Sequence, residues 1–132
     1  MSTRSNIAIL NSDGTVTAIC CRWDGYLDRN GLILSKYYSE PQQARALING
    51  GDLSVLTPNI NPPDFTQFES ESPEDTQLRK YSSILELCQT TENSNIEYLY
   101  LYIGGDWWYW NIYRAERFTL KHLKTDIKDL EK

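Results

Sequence analysis

The stretch that decides the fold runs Ile96-Glu97-Tyr98-Leu99-Tyr100-Leu101-Tyr102-Ile103-Gly104-Gly105-Asp106-Trp107-Trp108-Tyr109-Trp110-Asn111-Ile112-Tyr113-Arg114. Two runs rich in aromatic and aliphatic residues flank Gly104-Gly105-Asp106, which is the chemistry of a β-hairpin. With Gly104-Gly105 as a two-residue turn, Ile103 faces Asp106. Leu99, Leu101 and Ile103 then share a face with Trp108, Trp110 and Ile112, and Tyr98, Tyr100, Tyr102, Trp107, Tyr109 and Tyr113 occupy the other. A three-residue turn that includes Asp106 would exchange the partners of the second strand and set Trp108 and Trp110 among the tyrosines. The shorter turn is favoured because it segregates aliphatic from phenolic side chains, and either turn leaves one face rich in tyrosine.

Working outward, a second hairpin opens the chain. Asn6 to Leu10 is apolar and β-prone, Asn11-Ser12-Asp13-Gly14 can turn, and Thr15 to Trp23 alternates with both faces largely apolar, as in a strand covered on both sides. Asp24-Gly25 breaks that register, and Asp28 can cap a short helix over about 29–38. Pro41 suits the first turn of a further helix capped by Ser39 or Glu40, with Ala44, Leu47 and Ile48 inward and Gly50 as its end. The glycines at 50 and 51 lack the full pattern of a phosphate loop. Pro58, Pro62, Pro63 and Pro73 make about 57–76 a flexible acidic loop. Helical spacing of Leu78, Tyr81, Leu85 and Cys88 predicts a helix from Thr76, and Leu120, Leu123, Ile127 and Leu130 predict another from Thr119 to about Lys132. The expectation is an α+β fold, a single domain over 1–132, with a four-stranded antiparallel sheet made of two hairpins and helices mainly on one face.

A chain of 132 residues is long enough for one apolar core and too short for two. Its 40% hydrophobic and 23% charged residues exclude wholesale disorder, and no apolar run is long enough to span a membrane. Nothing before Asn6 reads as a secretion signal, so the cytosol is the expected location. The net charge of -5 equals the contribution of Asp64, Glu69, Glu71, Glu74 and Asp75, between which there is no base. A general basic field for nucleic acid is therefore unsupported, and the C-terminal bases Arg114, Arg117, Lys121, Lys124, Lys128 and Lys132 are interleaved with acids. Cys20, Cys21 and Cys88 have no framework spacing and His122 is the only histidine, so neither disulfides nor a zinc site is expected, and no cofactor is implied.

No Gly-x-Ser-x-Gly elbow is present, and His122 is expected on an exposed helix, so no catalytic residue is assigned. Two groups of residues could bind. Arg22, Trp23, Asp24, Tyr26 and Arg29 gather where a strand empties into a loop, with the charges to hold a small anionic ligand such as a nucleotide and rings to stack on it. Asp24 or Asp28 could instead serve as an acid or base, which makes a small hydrolase the least favoured reading. The second group is the ring face of Tyr98, Tyr100, Tyr102, Trp107 and Tyr109 together with Phe65 and Phe68 in the acidic loop. Left open, such a face would engage a protein partner or a second copy of the chain as a homodimer.

The segments Thr3-Arg4-Ser5-Asn6-Ile7-Ala8-Ile9, Cys21-Arg22-Trp23-Asp24-Gly25-Tyr26, Gly51-Asp52-Leu53-Ser54 and Glu97-Tyr98-Leu99-Tyr100 resemble a group of small bacteriophage and prophage proteins. The likeness covers both ends of the chain and leaves out the acidic loop. A histidine often precedes the Trp-Asp-Gly-Tyr of that group, where Arg22 stands here, so no histidine chemistry carries over. The resemblance implies a viral accessory protein that acts in the bacterial host cytosol by occupying a host protein, such as a component of a defence complex, in the manner of an anti-CRISPR inhibitor; the missing catalytic groups make a non-enzymatic role the expectation.

Overall fold

The computed structural model describes residues 3–57, 78–92, 94–112 and 120–123. The chain forms β1 (Ser5–Leu10), β2 (Val16–Cys21), a π-helical turn (Leu27–Gly31), α1 (Leu32–Tyr37), α2 (Pro41–Asn49), β3 (Arg79–Tyr81), α3 (Ile84–Glu92), β4 (Tyr98–Ile103), β5 (Asp106–Asn111) and β6 (Lys121–His122). The α+β class is as expected. The sheet is not four antiparallel strands, however, but six strands in the order β3-β2-β1-β4-β5-β6, with β1 and β4 parallel.

Both hairpins form. β1 pairs β2 with Leu10 opposite Val16, and β4 pairs β5 with Ile103 opposite Asp106, the register of the two-residue turn. Gly104 and Gly105 adopt φ of 58° and 93°, the paired positive values that match the twist of the flanking strands. The hairpins join through β1 and β4, from Ser5 opposite Tyr98 to Ile9 opposite Tyr102. These two strands lie at the centre of the sheet, which is why both of their faces are apolar.

Helices cover both faces, correcting the expectation of a mainly one-sided arrangement. Leu34 of α1 and Ala44, Leu47 and Ile48 of α2 pack with Ile7, Ile9, Ile19, Tyr100, Tyr102, Trp107 and Tyr109. On the reverse, Leu87 and Cys88 of α3 pack with Ala8, Val16, Ala18, Leu99, Leu101 and Trp110. Helix α2 starts as its sequence implies: Pro41 opens it, and Glu40 and Gln43 cap each other's backbone N–H groups.

Two further elements differ from the sequence reading. Arg79–Tyr81 is a strand, because it completes the open edge of β2 by pairing with Val16–Ala18. The helix begins after it, where Ser83 Oγ accepts the N–H of Glu86 and the Glu86 carboxylate accepts the N–H of Ser82. Lys121–His122 is likewise a short strand, opposite Trp108 and Tyr109. Leu120 packs on the α3 side and Leu123 on the other, so residues 120–122 do not open the helix predicted from Thr119, and helical backbone is described only at Leu123. The remainder of that predicted helix, the acidic loop with Phe65 and Phe68, and Tyr113 lie outside the described residues. No helix among the described residues is long and apolar enough to cross a membrane.

Candidate functional site

The ring face is not a surface. Tyr100 is 0% exposed, and Tyr102, Trp107 and Tyr109 are buried with it beneath α1 and α2, leaving Tyr98 half-buried. The expectation that these five residues form an open platform is corrected by the helices that the chain supplies as cover. The phenols and the indole direct their hydrogens at carbonyls of the covering layer. Tyr100 Oη donates to Gly25 O at 2.7 Å, Tyr102 Oη to Ser39 O at 2.7 Å, and Trp107 Nε1 to Tyr38 O at 2.9 Å. Each acceptor lies at or beyond the end of a regular element, where a carbonyl lacks a helical or ladder partner. Aromatic rings with a polar tip thus fill the core and fasten the loops in one step.

Of the other group, Asp24, Tyr26 and Arg29 are joined by side-chain contacts, and Arg22 and Trp23 are exposed on the same corner of chain after β2. Leaving the sheet, the chain is held to the connector after α2: the Arg22 N–H donates to Leu53 O and the Trp23 N–H to Ser54 O. Asp24 then takes φ of 59°, the left-handed region that aspartate tolerates better than most residues. This sharp turn drives Gly25 against the start of β1, its N–H donating to Thr3 O at 2.8 Å. A Cβ on Gly25 would lie 2.8 Å from Thr3 O and 2.9 Å from Ser5 Cβ, so only glycine fits. The π-helical turn that follows is anchored by the Asn30 N–H on Asp24 O and by Asn30 Nδ2 on Ser5 Oγ.

Above that anchored backbone, Trp23 is 48% and Tyr26 37% exposed, and Arg22, Asp28 and Arg29 are exposed with them. Asp24 sits among them. Its Oδ1 accepts the Tyr26 phenol at 3.0 Å, and its Oδ2 lies 3.9 Å from Arg29 Nη2. The bond to Asp24 and that residue's charge hold the Tyr26 phenol above its ordinary pKa.

The two buried thiols are held protonated. Cys21, directly beneath the corner, is buried and donates its Sγ–H to Trp23 O at 3.4 Å, and burial pushes its thiol up to about 11. Burial, with the charge of Glu92, pushes Cys88 up to about 12. Among the described residues no three His, Cys, Asp or Glu side chains gather as metal ligands. His122 is a half-buried strand residue, its Nε2 3.5 Å from Asp106 Oδ1 and its ring set edge-on to Trp108.

A cleft of about 400 Å³ opens elsewhere, between the α1–α2 junction at Ser35, Ser39 and Glu40 and the β4–β5 turn at Gly105 and Asp106. Sequence reading had no signal for it, since it joins segments more than 60 residues apart, such as Ser39 and Tyr102. Its aromatic lining, Tyr102 and Trp107, already spends its donors on Ser39 O and Tyr38 O. Comparison with protein-family models, with curated proteins and with solved structures finds no match to this chain.

Proposed function

We propose that the chain is a non-enzymatic binding protein that engages a protein partner through the corner of Arg22, Trp23, Asp24, Tyr26 and Arg29. The observation that carries the reading is the exposure of Trp23 and Tyr26, 48% and 37%, on a backbone pinned by hydrogen bonds from three separate segments. Trp, Tyr and Arg dominate binding hot spots, and a rigid backbone spares a partner the entropy of ordering it. The likeness of the Trp-Asp-Gly-Tyr segment to phage proteins makes a bacterial host protein, such as a defence component, the partner to test first.

A nucleotide or other small anion is less well supported at the same corner. The Asp24 carboxylate lies in the middle of it and already draws Arg29 to 3.9 Å, so an incoming phosphate would meet a like charge and compete for the guanidinium. The ring face, for its part, offers a second copy of the chain only the half-buried Tyr98, with Tyr100, Tyr102, Trp107 and Tyr109 buried.

Immobilised wild-type chain, Trp23→Ala and Tyr26→Ala are compared for capture from bacterial host lysate, with Tyr37→Ala, another exposed tyrosine, as control. Loss of a specific captured protein by at least about tenfold in the corner variants alone is expected. Equal capture by all four chains removes the corner as the binding surface.

A further inference from the structure

We infer that Tyr100 is a positioning residue for the Trp23–Tyr26 corner: from inside the core, its phenol fixes the Gly25 carbonyl and so sets how the two exposed rings are presented. This rests on the binding reading above and adds to it a residue that touches no partner.

Gly25 lies between Asp24, whose backbone is left-handed, and Tyr26, the residue before the π-helical turn. Its N–H is held from one side by Thr3 O at 2.8 Å, and its carbonyl from the other by Tyr100 Oη at 2.7 Å. The peptide unit on each side of Gly25 is thereby fixed across the sheet, one by the chain before β1 and one by the middle of β4. Tyr100 is well placed for this. It is wholly buried, stacked at 6.1 Å on Tyr98, and lies opposite Ile7 and Tyr109 in the two central pairings, so its ring has no room to turn away. Burial holds the phenol un-ionised, so the donor persists well above neutral pH.

Glycine has no side chain to limit its own φ and ψ. Without the post, its carbonyl is buried and unpaired, and the left-handed Asp24 turn before it loses one of the contacts that over-determine it. Tyr102 is the natural control. It is a second tyrosine two residues along the same strand, with a bond of equal length, but its hydroxyl is at the cleft, only partly buried, and its acceptor is Ser39 O at the α1–α2 junction.

The test is amide hydrogen exchange and partner capture on full-length Tyr100→Phe and Tyr102→Phe. Loss of one buried bond is expected to speed exchange at Trp23, Gly25 and Asn30 about tenfold in Tyr100→Phe, with the amides of α3 unchanged. Tyr102→Phe should leave those three amides at their wild-type rates. Capture should weaken in Tyr100→Phe and not in Tyr102→Phe. Unchanged corner exchange in Tyr100→Phe, or acceleration spread evenly through the sheet by both variants, overturns the positioning role. A loosened corner with normal capture overturns it too if Trp23→Ala abolishes capture; if Trp23→Ala also captures normally, the binding reading itself has failed. Should Tyr100→Phe not fold, the wild-type chain still decides: a slowly exchanging Tyr100 hydroxyl proton with a nuclear Overhauser effect to Gly25 is required, and its absence ends the proposal.

Discussion

Asp52 grips Arg79 through both carboxylate oxygens, at 2.7 and 2.9 Å, while its Oδ1 also accepts the backbone N–H of Cys20 at 2.9 Å. One side chain from the connector after α2 thus ties the end of β2 to the edge strand β3. Among fork-shaped ion pairs this is the favourable geometry, because both bonds align with the guanidinium plane.

The pair makes stability depend on pH. Partial burial raises the Asp52 pKa, but the Arg79 bonds and charge and the Cys20 N–H outweigh it and hold the carboxyl below its ordinary 3.8. A carboxyl depressed in the folded state stabilises the fold above its unfolded pKa and ceases to as pH falls through the folded value. Stability should therefore be flat near neutrality with respect to this pair and decline below about pH 4. Arg79→Met should cost about 1 kcal/mol at pH 7 and flatten that acid decline, as read from urea unfolding at pH 7 and pH 3.

Gly25→Ala should be strongly destabilising. The new methyl would meet backbone atoms, Thr3 O at 2.8 Å and Arg4 C at 3.0 Å, which cannot rotate aside as a flexible side chain can. A cost of about 2–3 kcal/mol and a fall in Tm of about 5–10 °C are expected by thermal unfolding. A Tm shift within about 1 °C would mean that the corner is not packed against the start of β1.

The β4–β5 turn makes the opposite prediction. Gly104 has φ of 58° and nothing within 4 Å of a Cβ, and it precedes a second glycine at positive φ. Gly104→Asn should hold or raise stability by about 0.5 kcal/mol, because asparagine accepts this conformation and has less freedom to lose on folding. Gly105→Val at φ of 93° should cost about 1–2 kcal/mol despite equal space around it. Urea midpoints of the two variants check both signs.

Thiol chemistry should follow burial. Cys20 is half-exposed, whereas Cys21 and Cys88 are buried with pKa values pushed up to about 11 and about 12. Iodoacetamide at pH 8 should alkylate one thiol of the native chain, Cys20, and all three only in denaturant, as counted by mass spectrometry. Native labelling of Cys21 would show that the corner opens readily.

Much of the local structure was legible in the chain itself. Alternation of leucine with tyrosine from Tyr98 to Ile103 and the Gly104-Gly105 pair specified both the hairpin and its register, since a one-residue slip would mix aliphatic and phenolic side chains on each face. Pro41 after Ser39 and Glu40 likewise placed the start of α2, and the structure makes Glu40, paired with Gln43, its cap. The Ser83 and Glu86 spacing marks the start of α3 as clearly, and the apolar spacing that ran through Tyr81 concealed it. The Trp23 corner was visible as a break in strand pattern at Asp24-Gly25, but its rigidity was not, because the bonds that create it come from Thr3, Leu53, Ser54 and Tyr100.

What the sequence determined by itself is therefore the set of segments whose decisive contacts are near neighbours: two hairpins, the capped helix and the place where the chain turns out of the sheet. Tertiary structure alone decided that β1 and β4 run parallel, that Arg79–Tyr81 joins the sheet, and that the tyrosines are support and not surface. The physical reason is that period-two patterning states which side chains share a face but not what covers that face. A ring with a hydroxyl at its tip satisfies either a solvent-facing role or, as with Tyr100 against Gly25, a buried one whose acceptor arrives from 75 residues away.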